Sequence, residues 1–237
     1  MKAKYEEIRR ILYVLLPLAV FVILYDVCTA IWQYVLKILI GVTGKEGSLW
    51  LTQNDGTFQA VCIMGGLAMT FVCLLKTALT DGFLTPEKSV WKVPVWQYAL
   101  LVFGTIGITY GCNYIFMATG LLEKSESYQK VAQNQYDVML WVGLLLYGLV
   151  SPLVEEVIFR GFLYGRMRVY MPKFLAIVLS ALLFGVYHGN LIQGIYGFVM
   201  AILYALVYDK FKNFYVAVFM HSITNLVAYF IQLNGFI

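Results

Sequence analysis

Charged residues are scarce in this chain of 237 residues: Asp, Glu, Lys and Arg make up 13%, whereas 61% of the residues are hydrophobic. This balance excludes an ordinary soluble domain, in which about a quarter of the residues are charged. The net charge of +4 is too small to favour a nucleic-acid-binding protein. Several apolar runs approach the ~20 residues that a helix needs to cross a bilayer. The composition therefore predicts an integral membrane protein.

Motifs for a covalent nucleophile or a disulfide framework are also missing. The four cysteines lie within or beside apolar runs, and their spacing matches no zinc motif, so we interpret them as packing residues. Neither G-x-S-x-G nor H-E-x-x-H occurs in the chain. Ser151 and Ser222 neighbour the motifs described below, but serine hydroxyls are ordinary packing groups in membrane helices. We therefore assign neither serine a catalytic role.

The apolar runs predict an all-α integral membrane protein, a polytopic bundle of about seven transmembrane helices. The approximate spans are 11–35, 58–79, 95–119, 138–165, 173–190, 192–209 and 213–233. The first run continues to Val42, so it is either one span or a span plus an interfacial helix. We divide the chain into residues 1–137, with about three spans, and residues 138–237, a catalytic core of about four spans. The polar connection 120–137 is expected to be a short external loop.

The distribution of Lys and Arg predicts the orientation. Thirteen of them fall in the N-terminus, the 76–94 connection, the 160–173 region and the 209–213 turn, and the alternate connections carry four. Cytoplasmic connections of membrane proteins carry the excess of basic residues. We therefore expect an integral cell-membrane protein with its N-terminus in the cytoplasm and its C-terminus outside.

Three charged residues interrupt the fourth span. Glu155, Glu156 and Arg160 are the only Asp, Glu, Lys or Arg residues between Trp141 and Tyr164. An ionisable group at membrane depth costs roughly 2.5–3.5 kcal/mol on insertion scales, so it faces the bundle interior or a water-filled cavity. Glu156 and Arg160 are four residues apart and can pair on one helix face. Glu155 is rotated about 100° from Glu156, which leaves it available for chemistry.

Both histidines of the chain fall inside predicted spans. His188 ends the fifth span, and His221 lies in the seventh, four residues before Asn225 on the same helix face. A carboxylate and an imidazole can share the activation of one water molecule. A second imidazole and a carboxamide can donate hydrogen bonds to the oxyanion that forms on a scissile carbonyl. These residue types favour hydrolysis of an acyl bond.

A rise of 1.5 Å per helical residue gives a rough depth for each group, counted from the predicted cytoplasmic end of its span. Glu155, counted from Gly165, comes to roughly 15 Å. His221 and Asn225, counted from Asn213, come to roughly 12 and 18 Å, and His188, counted from Lys173, to roughly 22 Å. These values predict a chamber near the middle of the membrane, with His188 as the outlier.

Three motifs together resemble a known family. They are E-E-x-x-x-R (Glu155, Glu156, Arg160), F-x-x-x-H (Phe184, His188) and H-x-x-x-N (His221, Asn225), in this order on successive apolar segments. This arrangement resembles the CPBP family, the CAAX-protease and bacteriocin-processing membrane endopeptidases also called the Abi family. The resemblance covers roughly residues 140–230, and the short chain is more similar to the bacterial members.

The resemblance implies an intramembrane endopeptidase acting on a membrane-associated peptide or protein, either prenylated or leader-bearing. It implies that Glu155 and His188 activate water and that His221 and Asn225 form the oxyanion site. Glu156 and Arg160 would be the supporting pair. Lipid bilayer is the expected surrounding, and no nucleic-acid partner is expected.

Two other functions and one cofactor stay open at this point. A non-enzymatic bacteriocin-immunity or regulatory protein could keep the motif for structure. A transporter could use buried acids and histidines to relay protons, although it would often show an internal repeat, which we do not find. No cofactor is firmly implied, but Glu155, His188 and His221 could supply the three protein ligands of a catalytic zinc.

Overall fold

The structure is a computed structural model that describes residues 2–85 and 94–233, and within these ranges it contains helices and no strand. The predicted all-α class is confirmed. Lys88 and Lys92, two of the basic residues used to predict the orientation, lie outside the described residues.

Ten helices follow one another along the described chain. They are α1 (Lys2–Gly41), α2 (Lys45–Gln53), α3 (Asp55–Asp81), α4 (Val95–Ala118), α5 (Leu121–Lys124), α6 (Glu126–Tyr136), α7 (Leu140–Tyr170), α8 (Lys173–Tyr187), α9 (Leu191–Phe211) and α10 (Phe214–Leu233). Six of these, α1, α3, α4, α7, α9 and α10, are long and apolar enough to cross a membrane.

Two predicted segments differ from the structure, and the alternative left open for the first apolar run is decided. The predicted fifth span corresponds to α8, which has 15 residues and is about 22 Å long, short of the roughly 30 Å hydrocarbon core. The first apolar run forms one continuous helix, α1, with no separate interfacial helix inside it. The connection 120–137 was predicted to be a loop, but most of it forms α5 and α6, since Ser125 caps α6 with its hydroxyl.

The helix α7 is central to the bundle, and α1, α3, α8, α9 and α10 all pack against it. Every residue from Val154 to Tyr164 is buried, including both carboxylates of the acidic motif. Around Pro152 the helix departs from regular α geometry, with wider π-helical turns at Leu146–Val150 and Val157–Tyr164. Proline supplies no amide hydrogen, so the preceding turn loses one of its helical hydrogen bonds.

The end of α7 changes the predicted depths. The helix continues past the predicted end at Gly165 to Tyr170, so Glu155 lies fifteen residues before its end, or about 22 Å. His188 lies fifteen residues after Lys173, at about the same depth. The outlying depth of His188 therefore came from ending α7 too early. The Nε2 of His221 lies 3.7 Å from Oε2 of Glu155, so the two side chains are at a similar level and the count from Asn213 underestimates the depth of His221.

A tight hairpin between α8 and α9 places His188. Gly189 has a φ of +72°, and the side chain of Asn190 accepts a hydrogen bond from the backbone of Gln193 to cap α9. The two helices cross closely at Gly185, where a β-carbon would lie 2.6 Å from the carbonyl oxygen of Gly194. His188 thus sits at the end of α8, directly before the turn.

One end of the bundle collects basic residues. Arg166 of α7 forms an ion pair with Asp81 of α3 at 2.8 Å, and Asp209 of α9 pairs with Lys173 at 2.6 Å and Lys212 at 3.1 Å. The α8–α9 turn and α6 lie at the other end of the helices.

Arg160 was counted with the basic connections, but it is buried in the core, so twelve of the thirteen (13 − 1) remain in that group.

Candidate active site

A cavity of about 220 Å³ lies between α4, α6, α7, α8, α9 and α10. Glu155, His188, His221 and Asn225 all contribute to its wall. The structure therefore brings together the four residues to which the sequence analysis gave catalytic roles. They come from three helices, and no two helices alone would form the site.

Glu156 is the most enclosed charged group of the site. Its side chain is 0% exposed, and its Oε1 lies 2.8 Å from a terminal nitrogen of Arg160, whose side chain is 2% exposed. The predicted Glu156–Arg160 pair is confirmed. The guanidinium also lies over the rings of Phe184 and Tyr204, at 4.7 and 5.0 Å from their centroids. These contacts compensate a buried cation that would otherwise be very costly.

The same carboxylate also orients His221, which the sequence analysis did not predict. The Nδ1 of His221 lies 2.8 Å from Oε1 of Glu156, and its Nε2 lies 3.7 Å from Oε2 of Glu155. Because a carboxylate accepts, Nδ1–H is the donor, so a neutral ring presents an unprotonated Nε2 to Glu155. His221 can donate from Nε2 only as an imidazolium. Its ring stacks on Tyr204, with centroids 4.7 Å apart.

Glu155 is held by its own helix. The hydroxyl of Ser151, one turn earlier, donates a hydrogen bond to Oε1. The second oxygen, Oε2, is the one nearer to His221. Sequence reasoning treated Ser151 as a packing residue, although its spacing of four residues from Glu155 is the signal that could have predicted this contact. Ser151 thus orients the carboxylate and leaves Oε2 for a water molecule.

His188 and Asn225 are each held by a backbone carbonyl. The Nδ1 of His188 lies 2.8 Å from the carbonyl oxygen of Phe184, so Nδ1–H donates and Nε2 carries the free lone pair. The Nδ2 of Asn225 donates to the carbonyl of Tyr147, at 3.1 Å, within the first π-helical turn of α7. A carboxamide has a second N–H, which the Tyr147 contact does not use.

The rest of the cavity wall was not predicted from the sequence. It consists mainly of phenols and carboxamides, namely Asn113, Tyr128, Gln135, Tyr147, Tyr187, Gln193, Tyr196, Tyr229 and Gln232. These residues come from six different helices, so no single sequence pattern marks them as one group.

The described residues do not form the zinc site that the sequence left open. Within residues 2–85 and 94–233, no three His, Cys, Asp or Glu side chains are grouped so that they could hold a metal ion. A catalytic zinc usually takes three protein ligands and a water molecule. Glu155, His188 and His221 therefore do not fit that role as they are arranged, and we derive no step through a metal.

Comparison with known proteins agrees with the motifs. Residues 137–227 match the family model described as Type II CAAX prenyl endopeptidase Rce1-like. That range contains every residue of the three motifs and most of the cavity wall. Over this range the chain is similar to the CPBP family of membrane peptidases. The predicted resemblance to this family and the predicted peptidase class are confirmed.

Two curated proteins match the chain. A protein of Bacillus subtilis (strain 168), described as "Putative membrane peptidase YdiL", is 29% identical over 187 residues, which cover 76% of this chain and 73% of that protein. A protein of Kosmotoga olearia, described as an acetylglutamate kinase, is 28% identical over 155 residues, which cover 65% of this chain and half of that protein. No solved structure matches the chain.

Glu156→Gln is expected to lower both stability and turnover. The substitution leaves Arg160 buried without its carboxylate, and breaking such a pair typically costs about 3–5 kcal/mol. It also weakens the acceptor that orients His221. We expect a clear drop in the melting temperature of the detergent-purified protein, with Glu123→Gln, an exposed acid of α5, as the matched control.

The double variant Glu156→Gln/Arg160→Met separates the two effects. Removing the stranded cation should recover part of the stability but none of the turnover, because His221 still lacks its carboxylate partner. If Glu156→Gln alone had the melting temperature of the wild type, the role assigned to the Glu156–Arg160 pair would be contradicted.

Ser151→Ala is expected to lower kcat about tenfold while KM stays within twofold. Removing the hydroxyl leaves Oε1 of Glu155 without its donor, and a loss of about 1.4 kcal/mol in the transition state is tenfold in rate. Ser151→Thr keeps the donor and should retain most of the activity. The control is Ser180→Ala, a buried serine of α8 that bonds the carbonyl of Ile177. Equal kcat values for Ser151→Ala and the wild type would disprove the contact.

Proposed function

We propose that this protein is an intramembrane endopeptidase that hydrolyses a peptide bond of a membrane-associated peptide or protein, using water activated by Glu155 and His188. The observation that supports this most is the meeting of Glu155, His188, His221 and Asn225 in one cavity inside a helical bundle. The cavity is reached by polar groups from α6, α9 and α10, which would let water and a substrate backbone enter.

In the proposed reaction, a water molecule lies between Oε2 of Glu155 and Nε2 of His188. Glu155 accepts a proton from the water as its oxygen forms a bond to the scissile carbonyl carbon. The carbonyl oxygen becomes an oxyanion, and the tetrahedral intermediate then collapses. The C–N bond breaks as Glu155 returns the proton to the leaving nitrogen, so that a carboxyl group and an amine are released.

Asn225 and His221 would stabilise the oxyanion. Asn225 offers the N–H that Tyr147 does not occupy, and His221 offers Nε2–H when it is an imidazolium. Glu156 then faces the positive ring directly through Oε1, the same oxygen that contacts Arg160. In this proposal, Glu156 and Arg160 touch no substrate and act by positioning His221.

We also propose the orientation with the N-terminus in the cytoplasm and the C-terminus outside. The ion pairs Arg166–Asp81 and Asp209–Lys173 join three of the basic connections at one end of the bundle. Basic residues gathered at one end support a single cytoplasmic face.

The substrate class follows from the family only in part. The matching family model is named for a prenyl endopeptidase, and that name describes the family. For this chain we propose either a prenylated or a leader-bearing substrate. In this proposal the site acts on a peptide bond within the bilayer, whichever of the two substrates presents it.

Glu155→Gln is expected to reduce peptide cleavage by at least a thousandfold while the protein still folds and inserts. A carboxamide keeps the size and can still accept from Ser151, but it cannot take a proton from water. The measurement is mass spectrometry of prenylated and leader-bearing peptides incubated with purified protein, and Glu123→Gln is the control. A variant with near-wild-type turnover would refute the peptidase mechanism.

Activity is expected without a bound metal. The described side chains provide no three-ligand group, and Glu155 and His188 can activate water by proton transfer alone. Purified, active protein should contain well under one equivalent of zinc and keep its activity after treatment with a strong chelator. Stoichiometric zinc, with activity lost on chelation and restored by added metal, would reassign Glu155, His188 and His221 as ligands.

A further inference from the structure

The cavity extends from the catalytic groups to one end of the bundle. Gln135 lies one residue before the end of α6, Gln193 is the third residue of α9, and Gln232 is one residue before the end of α10. All three side chains are half-buried. We call these three residues the glutamine mouth. They surround the side of the cavity that faces away from Glu156 and Arg160.

The glutamine mouth is held in place by its own hydrogen bonds. The Nδ2 of Asn190 donates to Oε1 of Gln193 at 2.7 Å, and Nε2 of Gln193 lies 3.5 Å from Oε1 of Gln135. Burial raises the pKa of the Tyr128 phenol, and a hydrogen bond from Gln232 partly offsets this rise. Tyr128 therefore stays neutral and can donate. Each carboxamide offers both donors and an acceptor.

The chemistry of the mouth favours a neutral, hydrogen-bonding ligand. Of the described residues that line the cavity, Glu155 is the sole Asp, Glu, Lys or Arg. A charged substrate side chain near the mouth would lose water without gaining an opposite charge, which is costly. An extended peptide presents unpaired N–H and C=O groups at membrane depth, and carboxamides can satisfy both kinds of group. Phe116, Ile192 and Ala228 add apolar surface for its side chains.

The mouth also lies at the end of the bundle opposite the basic residues. Glu155 and His188 are each about 22 Å from the basic end of their helices, which leaves about 8 Å of a roughly 30 Å hydrocarbon core above them. The basic end carries the ion pairs of Arg166 and Asp209. With the basic end in the cytoplasm, the mouth faces outward.

We propose that the substrate enters from outside the cell as an extended, uncharged peptide segment whose backbone is held by Gln135, Gln193 and Gln232. This inference rests on the proposed function and adds to it the side of entry and the substrate class. A segment that crosses or lies on the outer leaflet fits this entry route.

The first experiment measures the side of entry without relying on cleavage. The four native cysteines are replaced, and single cysteines are placed at Gln232, at Ser127 on the exposed face of α6, and at Lys210 near the basic end. A membrane-impermeant maleimide added to intact cells should label the first two positions, and the third should label only after permeabilisation. If the cysteine at position 127 is labelled and the one at position 232 is protected, the mouth is not open to the outside. If the cysteine at position 210 is labelled in intact cells and the other two only after permeabilisation, entry from outside is overturned.

The second experiment measures the peptide class. In the Glu155→Gln protein, a single cysteine replaces Ala228, which lines the cavity but is not part of the mouth. A synthetic 12-residue peptide of Ala, Leu and Gln should slow maleimide labelling of this cysteine at least fivefold. The same peptide with two central lysines should have no such effect. Equal protection by both peptides, or by neither, would overturn the proposal.

Variants of the mouth complete the test. Gln135→Ala combined with Gln193→Ala should remove most of the protection, whereas Gln133→Ala, an exposed carboxamide of the same helix, should retain it. Because protection requires no turnover, protection without cleavage in the wild type would refute the peptidase reaction and leave the mouth intact. Cleavage of both peptides without protection would refute the mouth and leave the reaction intact.

Discussion

The buried contact between Arg160, Glu156 and His221 is the constraint on which the rest of the site depends. A carboxylate with 0% exposure is tolerated because its Oε1 faces both a guanidinium nitrogen and an imidazole N–H, each at 2.8 Å. The contact joins α7 to α10, and the rings of Phe184 and Tyr204 add α8 and α9 around the cation. The charges therefore specify how the four helices of the core meet, since any other packing would leave a charge unpaired in a dry interior.

The two adjacent glutamates have different environments because they lie about 100° apart on one helix. Glu156 points into the core and holds His221, whereas Glu155 points into the cavity and is oriented by Ser151. The wide π-helical turns on either side of Pro152 alter the regular helical ladder just there. One of the carbonyls in these turns, that of Tyr147, accepts from Asn225. The irregular backbone of α7 is thus part of the site and not a defect of the helix.

The bundle separates its polar groups by type. Ionic pairs gather at one end, around Asp81 and Asp209, while carboxamides and phenols surround the cavity at the other. Ion pairs suit an interface where water and anionic headgroups are present, whereas neutral amides suit the uncharged peptide backbone that we propose as the occupant of the cavity. This separation connects the orientation of the protein in the bilayer with the direction from which the cavity is open.

The sequence alone determined the helical membrane class, the Glu156–Arg160 pair and the four catalytic candidates, which are among the residues that line the cavity. It could do so because apolar runs and spacings of four residues are local patterns. The lengths of α7 and α8 predicted from the sequence were wrong, because the end of a helix depends on its neighbours. Asp209, for example, forms ion pairs with Arg168 near the end of α7 and with Lys173 at the start of α8. Only the tertiary structure decided that Glu156 orients His221, and that glutamines from α6, α9 and α10 converge on one mouth. Those contacts join residues more than fifty positions apart, and no local pattern in the chain encodes such distances.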